Sequence, residues 1–226
     1  MKLSKKKKEP TVIMVDCFNT IILRNKSNKQ IFQNWAREVA TVFGVDEVKF
    51  LKTYNHINWA LCTKKLFSRF VLQAKFEDVL DRVYQKLSKT NLIDDNFIQV
   101  AKQKYIDCEK ETHFVVPQFI SFLRAEKEKG KKIVVVSDFY CGSEMLSIWL
   151  DSLGILDIFD GVYSSADVNK EKSTTKLYRY LLNKLNVTPE EVIMYGDNCW
   201  SDVFMPRVVG MKSRRINHKK RNYEKD

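Results

Sequence analysis

Val12-Ile13-Met14-Val15, followed at once by Asp16-Cys17-Phe18-Asn19-Thr20, decides the reading of this 226-residue chain. Four apolar residues without alternation read as a strand buried on both faces, the pattern of a parallel strand covered by helices. The run stops on an aspartate. Two more bursts end the same way: Ile133-Val-Val-Val136 runs into Ser137-Asp138, and Val192-Ile-Met-Tyr195 runs into Gly196-Asp197. Elsewhere the apolar period is helical. Phe119, Phe122 and Leu123 precede Gly130; Met145, Ile148, Trp149 and Leu153 precede Gly154; Leu177, Tyr180, Leu181 and Leu185 follow Ser173-Thr174-Thr175. Strands alternating with helices predict an α/β fold with a doubly wound parallel sheet. Ligands of such sheets sit at the carboxyl ends of the strands, where each burst delivers its aspartate.

From Asn25 to His113 the pattern is different. Helical stripes (Ile31, Trp35, Val39, Val42; Val79, Leu80, Val83, Tyr84, Leu87; Phe97, Val100, Ala101, Tyr105) occur without a strand-like burst and read as core positions. The expected organisation is an α/β core over 11–24 and 115–212, an inserted all-helical cap over 25–114 that covers the same strand edge, and basic tails at 1–10 and 213–226.

Lys and Arg number 39 against 28 Asp and Glu, a formal charge of +11. Residues 1–10 contribute +4 and residues 212–226 contribute +5, so the body is nearly neutral. No nucleic-acid motif accompanies the tail charges, which read as solvated runs, and nucleic acid is not expected as the partner. The start, MKLSKKKKEP, is basic, but the apolar run that follows stops at Asp16, short of the about 7–15 residues a secretory signal needs. No apolar run approaches the ~20 residues of a membrane span. Five Cys (17, 62, 108, 141, 199) make an odd count with no C-x-x-C, and three scattered His (56, 113, 218) have no ligand spacing. A reducing, cytoplasmic setting without disulfides or zinc is the expectation. Oligomeric state is not readable.

The chemistry-bearing residues fall in order: Asp16 after the first strand, Ser137-Asp138 after another, a lysine (Lys172 or Lys170) before a helix, and Gly196-Asp197-Asn198 with Asp202 five residues after Asp197. Such a set suits phosphoryl chemistry. A carboxylate at a strand end can attack phosphorus if a cation offsets the repulsion between two anions. Asp197 and Asp202 can gather Mg²⁺, which prefers oxygen ligands, a serine hydroxyl can donate to a phosphate oxygen, and an ammonium can stabilise the charge.

With these four elements in this order, the sequence resembles the haloacid dehalogenase (HAD) superfamily, over about 11–24 and 115–212; the helical block resembles a cap of the first insertion type in position and size. The resemblance implies that Asp16 is a nucleophile forming an aspartyl intermediate on a phosphorylated small molecule and that Ser137, with Asp138, holds the phosphate. It also implies Mg²⁺ bound by Asp16, the Phe18 carbonyl and Asp197, with Asp202 nearby. In the family the lysine stands five and six residues before an apolar pair: Lys172 gives Leu177-Tyr178, whereas Lys170 gives Thr175-Lys176, which favours Lys172.

One position departs from the family. Its phosphatases usually carry a second aspartate two residues after the nucleophile, as general acid and base, and here that position is Phe18. General acid–base help is typically worth about 10²–10⁴ in rate. Asn19, next to it, has no titratable group either, although the surrounding Asp-x-Phe and Ser137-Asp138-Phe139-Tyr140 resemble a family group with Asp-x-Phe-Asp-Thr. The leading expectation is a Mg²⁺-dependent hydrolase without the usual general acid. The alternatives are a non-catalytic binding or scaffold module with this fold, and a dehalogenase-type hydrolase.

Overall fold

The computed structural model describes residues 9–69, 73–90 and 93–218. The lysines at 2 and 5–8 and the basic residues at 219–221 and 225, expected in tails, lie outside the described residues. In chain order the first half holds β1 (Val12–Val15), β2 (Ile22–Arg24), α1 (Asn28–Phe43), α2 (Glu47–Arg69), α3 (Phe76–Leu87), α4 (Phe97–Lys110) and β3 (His113–Val115). The second half holds α5 (Pro117–Glu128), β4 (Lys132–Ser137), α6 (Ser143–Ser152), β5 (Gly161–Ser164), α7 (Ser165–Val168), α8 (Lys176–Leu185), β6 (Val192–Gly196), α9 (Met205–Val208) and β7 (Lys212–Arg215).

The chain divides into two compact units. One runs to Ile22, takes in Val115–Asp138 and resumes from Ile155; the other is Leu23–Phe114 with Phe139–Gly154. The first unit holds a five-stranded parallel sheet in the order β5-β4-β1-β6-β7. The three apolar bursts are its central strands. β1, flanked by β4 and β6, has all four residues buried, as the unalternating run requires. On one face Val12, Met14, Val134, Val136, Val192 and Met194 pack with Leu177, Tyr178 and Leu181 of α8. On the other, Tyr195 meets Phe122 of α5 at a ring separation of 5.5 Å. From β1 the strand order runs to β4 and β5, then reverses to β6 and β7, so the switch point lies between β1 and β6. In doubly wound sheets the ligand crevice opens there, at the strands' carboxyl ends.

The edge strands were not visible as apolar bursts. Gly161–Ser164 is mostly half-buried and Lys212–Arg215 is half-buried to exposed. The segment expected to begin a basic tail at 213 therefore starts inside the sheet: Arg214 and Arg215 pair with Tyr195 and Gly196 of β6. An edge strand is paired on one side only, so polar residues cost it little.

The second unit is helical with an aromatic core. Trp35 is fully buried and donates its indole N–H to the Ala101 carbonyl at 2.8 Å, with Phe50, Tyr54, Phe76 and Tyr105 around it. Ser27 and Gln30 form a capping box that starts α1, and Gly44 at φ 63° stops it. The expected stripes are largely interior, with one correction: Val42, in the last turn of α1, is 50% exposed. No apolar stripe marked α2 within the expected helical block, and the two-stranded sheet of β2 and β3 was not anticipated from sequence. Phe139–Gly154, expected in the α/β core, groups with the helical unit, where the Trp149 indole N–H donates to the Ile106 carbonyl at 3.2 Å.

Candidate active site

At the carboxyl end of β1 the chain turns sharply: Asn19 N–H donates to the Ile22 carbonyl at 2.8 Å, and Ile21 and Ile22 both donate to the Cys17 carbonyl. Asn19 sits at φ 59°, a left-handed conformation that asparagine tolerates better than most residues. The turn leaves Asp16 buried at the strand end, accepting from the Thr20 hydroxyl at 3.3 Å, and Phe18 half-buried two residues on.

The lysine is aimed from the opposite side by backbone. After α7 the chain makes a 3₁₀ turn over Lys172–Thr174. The N–H of Lys172 donates to both oxygens of Asp138, at 2.9 and 3.0 Å, and the N–H of Ser173 to one of them at 3.4 Å. Asp138 directly follows β4, whose last residue, Ser137, is 2% exposed. From this anchor the Lys172 ammonium reaches Asp16 Oδ1 at 2.5 Å and Asp202 Oδ1 at 2.7 Å. The Lys170 ammonium instead lies 5.2 Å from the centre of the Tyr180 ring.

Asp197 and Asp202 come from the end of β6 and the π-helical turn Cys199–Phe204 behind it. Asn198 starts that turn by accepting from the N–H groups of Trp200 and Ser201, at 2.9 and 3.0 Å. The turn folds Asp202 back over the strand end, where Oδ2 accepts from Asn198 N–H at 3.1 Å. The fit needs glycine before Asp197: a Cβ placed on Gly196 falls 2.5 Å from the Cβ of Asp202. One carboxylate oxygen from each of Asp16, Asp197 and Asp202 lies within 4.8 Å of the others.

Burial governs the electrostatics. It pushes the Asp16 carboxyl up to about 7; Lys172 pulls the other way, and Asp202 and Asp197 add to the rise. Burial also raises Asp197, with Asp202 reinforcing it, and raises Asp138 against the pull of Lys172. For Lys172 burial opposes the charge, but Asp16 and Asp202 outweigh it and hold the ammonium's affinity for its proton well above the ordinary lysine value. Three carboxylates around one ammonium leave an excess of hard anionic oxygen, a donor set that fits a divalent cation such as Mg²⁺.

A family model of haloacid dehalogenase-like hydrolases matches residues 10–210. The chain belongs to that family. Among solved structures, the HAD phosphatase from Thermococcus onnurineus superposes with a TM-score of 0.58 at 21% identity, covering 95% of this chain and 90% of that one. The 2-haloacid dehalogenase from Pseudomonas syringae pv. Tomato DC3000 superposes with a TM-score of 0.66 at 15% identity, over 96% and 90%. At such identities these likenesses establish the HAD-like fold. A stretch of 57 residues is 39% identical to the glyceraldehyde 3-phosphate phosphatase of Pyrococcus furiosus, spanning 25% of this chain and only 24% of that relative.

Of the residues singled out from sequence, this HAD-like core brings together Asp16, Lys172, Asp197 and Asp202, with Asp138 holding the lysine's main chain. Two supporting parts were missed: the Asn198 cap, visible in principle as an asparagine opening a helical turn, and the Tyr178 hydroxyl, which donates to the Ser201 carbonyl at 2.7 Å. Among the described residues no helix is long and apolar enough to cross a membrane.

Proposed function

We propose that this HAD-like hydrolase cleaves a phosphate ester of a small molecule, with Asp16 as nucleophile. The observation that carries the reading is the buried Lys172 ammonium lying between Asp16 and Asp202, with Asp197 beside them. A carboxylate oxygen of Asp16 attacks phosphorus, the bond to the leaving oxygen breaks with its electron pair, and water later hydrolyses the aspartyl phosphate to release inorganic phosphate. Lys172 holds Asp16 in place and offsets the negative charge gathered there, and the Ser137 hydroxyl donates to a phosphoryl oxygen. Asp138 is assigned here to positioning rather than to phosphate contact, since both its oxygens already accept from the main chain of Lys172. Asp16, Asp197 and the Phe18 carbonyl would hold Mg²⁺, with Asp202 nearby; when bound, the ion supplies positive charge that lets an anionic nucleophile meet an anionic phosphate. The cysteines at 17, 62, 108, 141 and 199 are thiols outside any disulfide, which fits a reducing, cytoplasmic setting.

Phe18 defines the expected reactivity. A phenyl ring moves no proton, so an alkoxide leaves poorly whereas a nitrophenolate leaves unaided. Attack on carbon, the dehalogenase alternative, needs no cation and gives Asp197 no task, while Asp202 would keep its ion pair with Lys172.

The test is release of nitrophenolate from nitrophenyl phosphate. Mg²⁺-dependent turnover that disappears in Asp16→Asn supports the proposal, and a steep dependence of rate on leaving-group pKa, flattened by Phe18→Asp, supports the missing acid. A shallow dependence in the unmodified protein assigns the proton to another group. No turnover of any phosphate, with Mg²⁺ still bound, favours a binding module.

A further inference from the structure

The first unit carries a second concave site, on the α5 side of the sheet. It is a cavity of about 380 Å³ whose wall includes Phe119, Phe122, Tyr195, Arg214, Arg215 and His218. None of Asp16, Ser137, Lys172, Asp197 and Asp202 lines it. The volume falls in the about 300–1,000 Å³ range of small-molecule sites.

The cavity follows from the register of the last two strands. Tyr195 of β6 stands opposite Arg214 of β7, so the phenol and the guanidinium share one face of the sheet. Phe119 and Phe122 stand one turn apart on α5, their rings nearly parallel at 21° and 5.9 Å apart, and Phe122 packs 5.5 Å from Tyr195. Beyond β7 the chain stays against the strand ends, with Ile216 N–H donating to the Gly196 carbonyl at 2.8 Å. This brings in His218, whose Nε2–H donates to the Thr20 carbonyl at 2.9 Å and whose ring meets Phe119 edge-on at 6.0 Å.

The wall thus joins an aromatic surface to two cations and contains no carboxylate. Arg215 is partly engaged, its Nε–H donating to the Asp197 carbonyl at 3.2 Å; Arg214 is exposed, and no acid among the described residues pairs with it. Guanidinium groups match phosphate oxygens in a planar fork, and aromatic rings take the flat face of another ring.

We infer that this cavity binds a planar aromatic group carrying a phosphate, of the size and kind of a nucleoside monophosphate. The phosphate meets Arg214 at the sheet edge, and the base lies against the half-buried ring of Phe122. The inference is independent of the chemistry assigned to Asp16.

Titration calorimetry of the full chain in EDTA, with AMP, adenosine and inorganic phosphate as probes, decides it. AMP is expected to bind one to one, at least about tenfold tighter than either fragment, because only AMP engages both halves of the wall. Arg214→Ala and Phe122→Ala, each checked for an unchanged circular dichroism spectrum, should each weaken AMP about tenfold. Phosphate binding as tightly as AMP would overturn the aromatic half. Absence of AMP binding, or AMP affinity unchanged in Arg214→Ala, would overturn the site, the latter by placing the nucleotide elsewhere on the chain.

Discussion

The main-chain N–H of Lys172 donates to both carboxylate oxygens of Asp138, at 2.9 and 3.0 Å, so the residue that follows β4 determines where the lysine begins. The side chain of that lysine then spans to Asp16 at the end of the neighbouring strand. Two adjacent parallel strands thus hold one ammonium, one through its backbone and the other through its charge.

Removing the backbone anchor should disturb the aim of the lysine more than the binding of substrate. Asp138→Ala is expected to lower kcat with little change in KM, and to cost about 1 kcal/mol of stability because two partly buried N–H groups lose an acceptor. Asp138→Asn, which keeps one carbonyl oxygen, should recover part of both losses. Steady-state kinetics and urea unfolding measure them; a loss confined to KM would assign Asp138 to the substrate instead.

Lys172→Ala leaves Asp16 and Asp202 buried without their shared cation, and breaking a buried pair from one side typically costs about 3–5 kcal/mol. Lys170→Ala removes only a cation–π contact with Tyr180, worth about 0.5–1 kcal/mol at an exposed site. Urea midpoints and turnover of both variants should differ in the same direction. A larger effect from Lys170→Ala on either would contradict the placement of the lysine.

Gly196→Ala forces a methyl group against the Cβ of Asp202, where it falls at 2.5 Å. Overpacking of this kind costs about 1–3 kcal/mol. Relief requires Asp202 to withdraw from Lys172, so turnover should fall together with the thermal midpoint. An alanine variant with normal stability and rate would show that the π-helical turn yields freely.

Asp197→Asn should weaken Mg²⁺ binding sharply while leaving the fold intact, since the side chain is not part of the ion pair that holds Lys172. Calorimetric titration with MgCl₂ on both proteins tests it, and equal affinities would remove Asp197 from the metal site.

Glu126 near the end of α5 is held below the ordinary glutamate range, first by its hydrogen bond to Lys129 and then by that to Lys131. With the folded value below the unfolded one, its contribution is fully present above about 4.3 and is lost as pH falls through the lower folded value. Glu126→Gln should therefore cost up to about 1 kcal/mol at pH 7 and almost nothing near pH 2. Urea unfolding at the two pH values provides the comparison; an equal cost at both would mean that packing, not charge, is what the substitution removes.

Sequence alone determined the middle of the sheet and the identities of its acids. Val12–Val15, Ile133–Val136 and Val192–Tyr195 announce themselves because a strand covered on both faces must be apolar at every position, a strictly local requirement. An acid or serine directly after such a run stands at the carboxyl edge wherever the strand lies, so Asp16, Ser137, Asp138 and Asp197 were placed at that edge before any contact was known. Helices α5, α6 and α8 were legible for a similar reason: their apolar stripe and their glycine or Ser/Thr boundaries are local signals.

Tertiary structure decided the partners. Edge strands β5 and β7 carry no apolar run, since pairing on one side does not demand one, and α2 hides the buried Phe50 and Tyr54 in a segment without an apolar stripe. Nothing local says that the Asp138 carboxylate serves the backbone at 172, or that Asp202 closes over Gly196, because hydrogen bonding and close packing depend on distances that periodicity does not encode. The pairing of Lys172 with Asp16 joins residues 156 positions apart, and it exists only because the parallel order β4-β1-β6 carries both to one edge of the sheet.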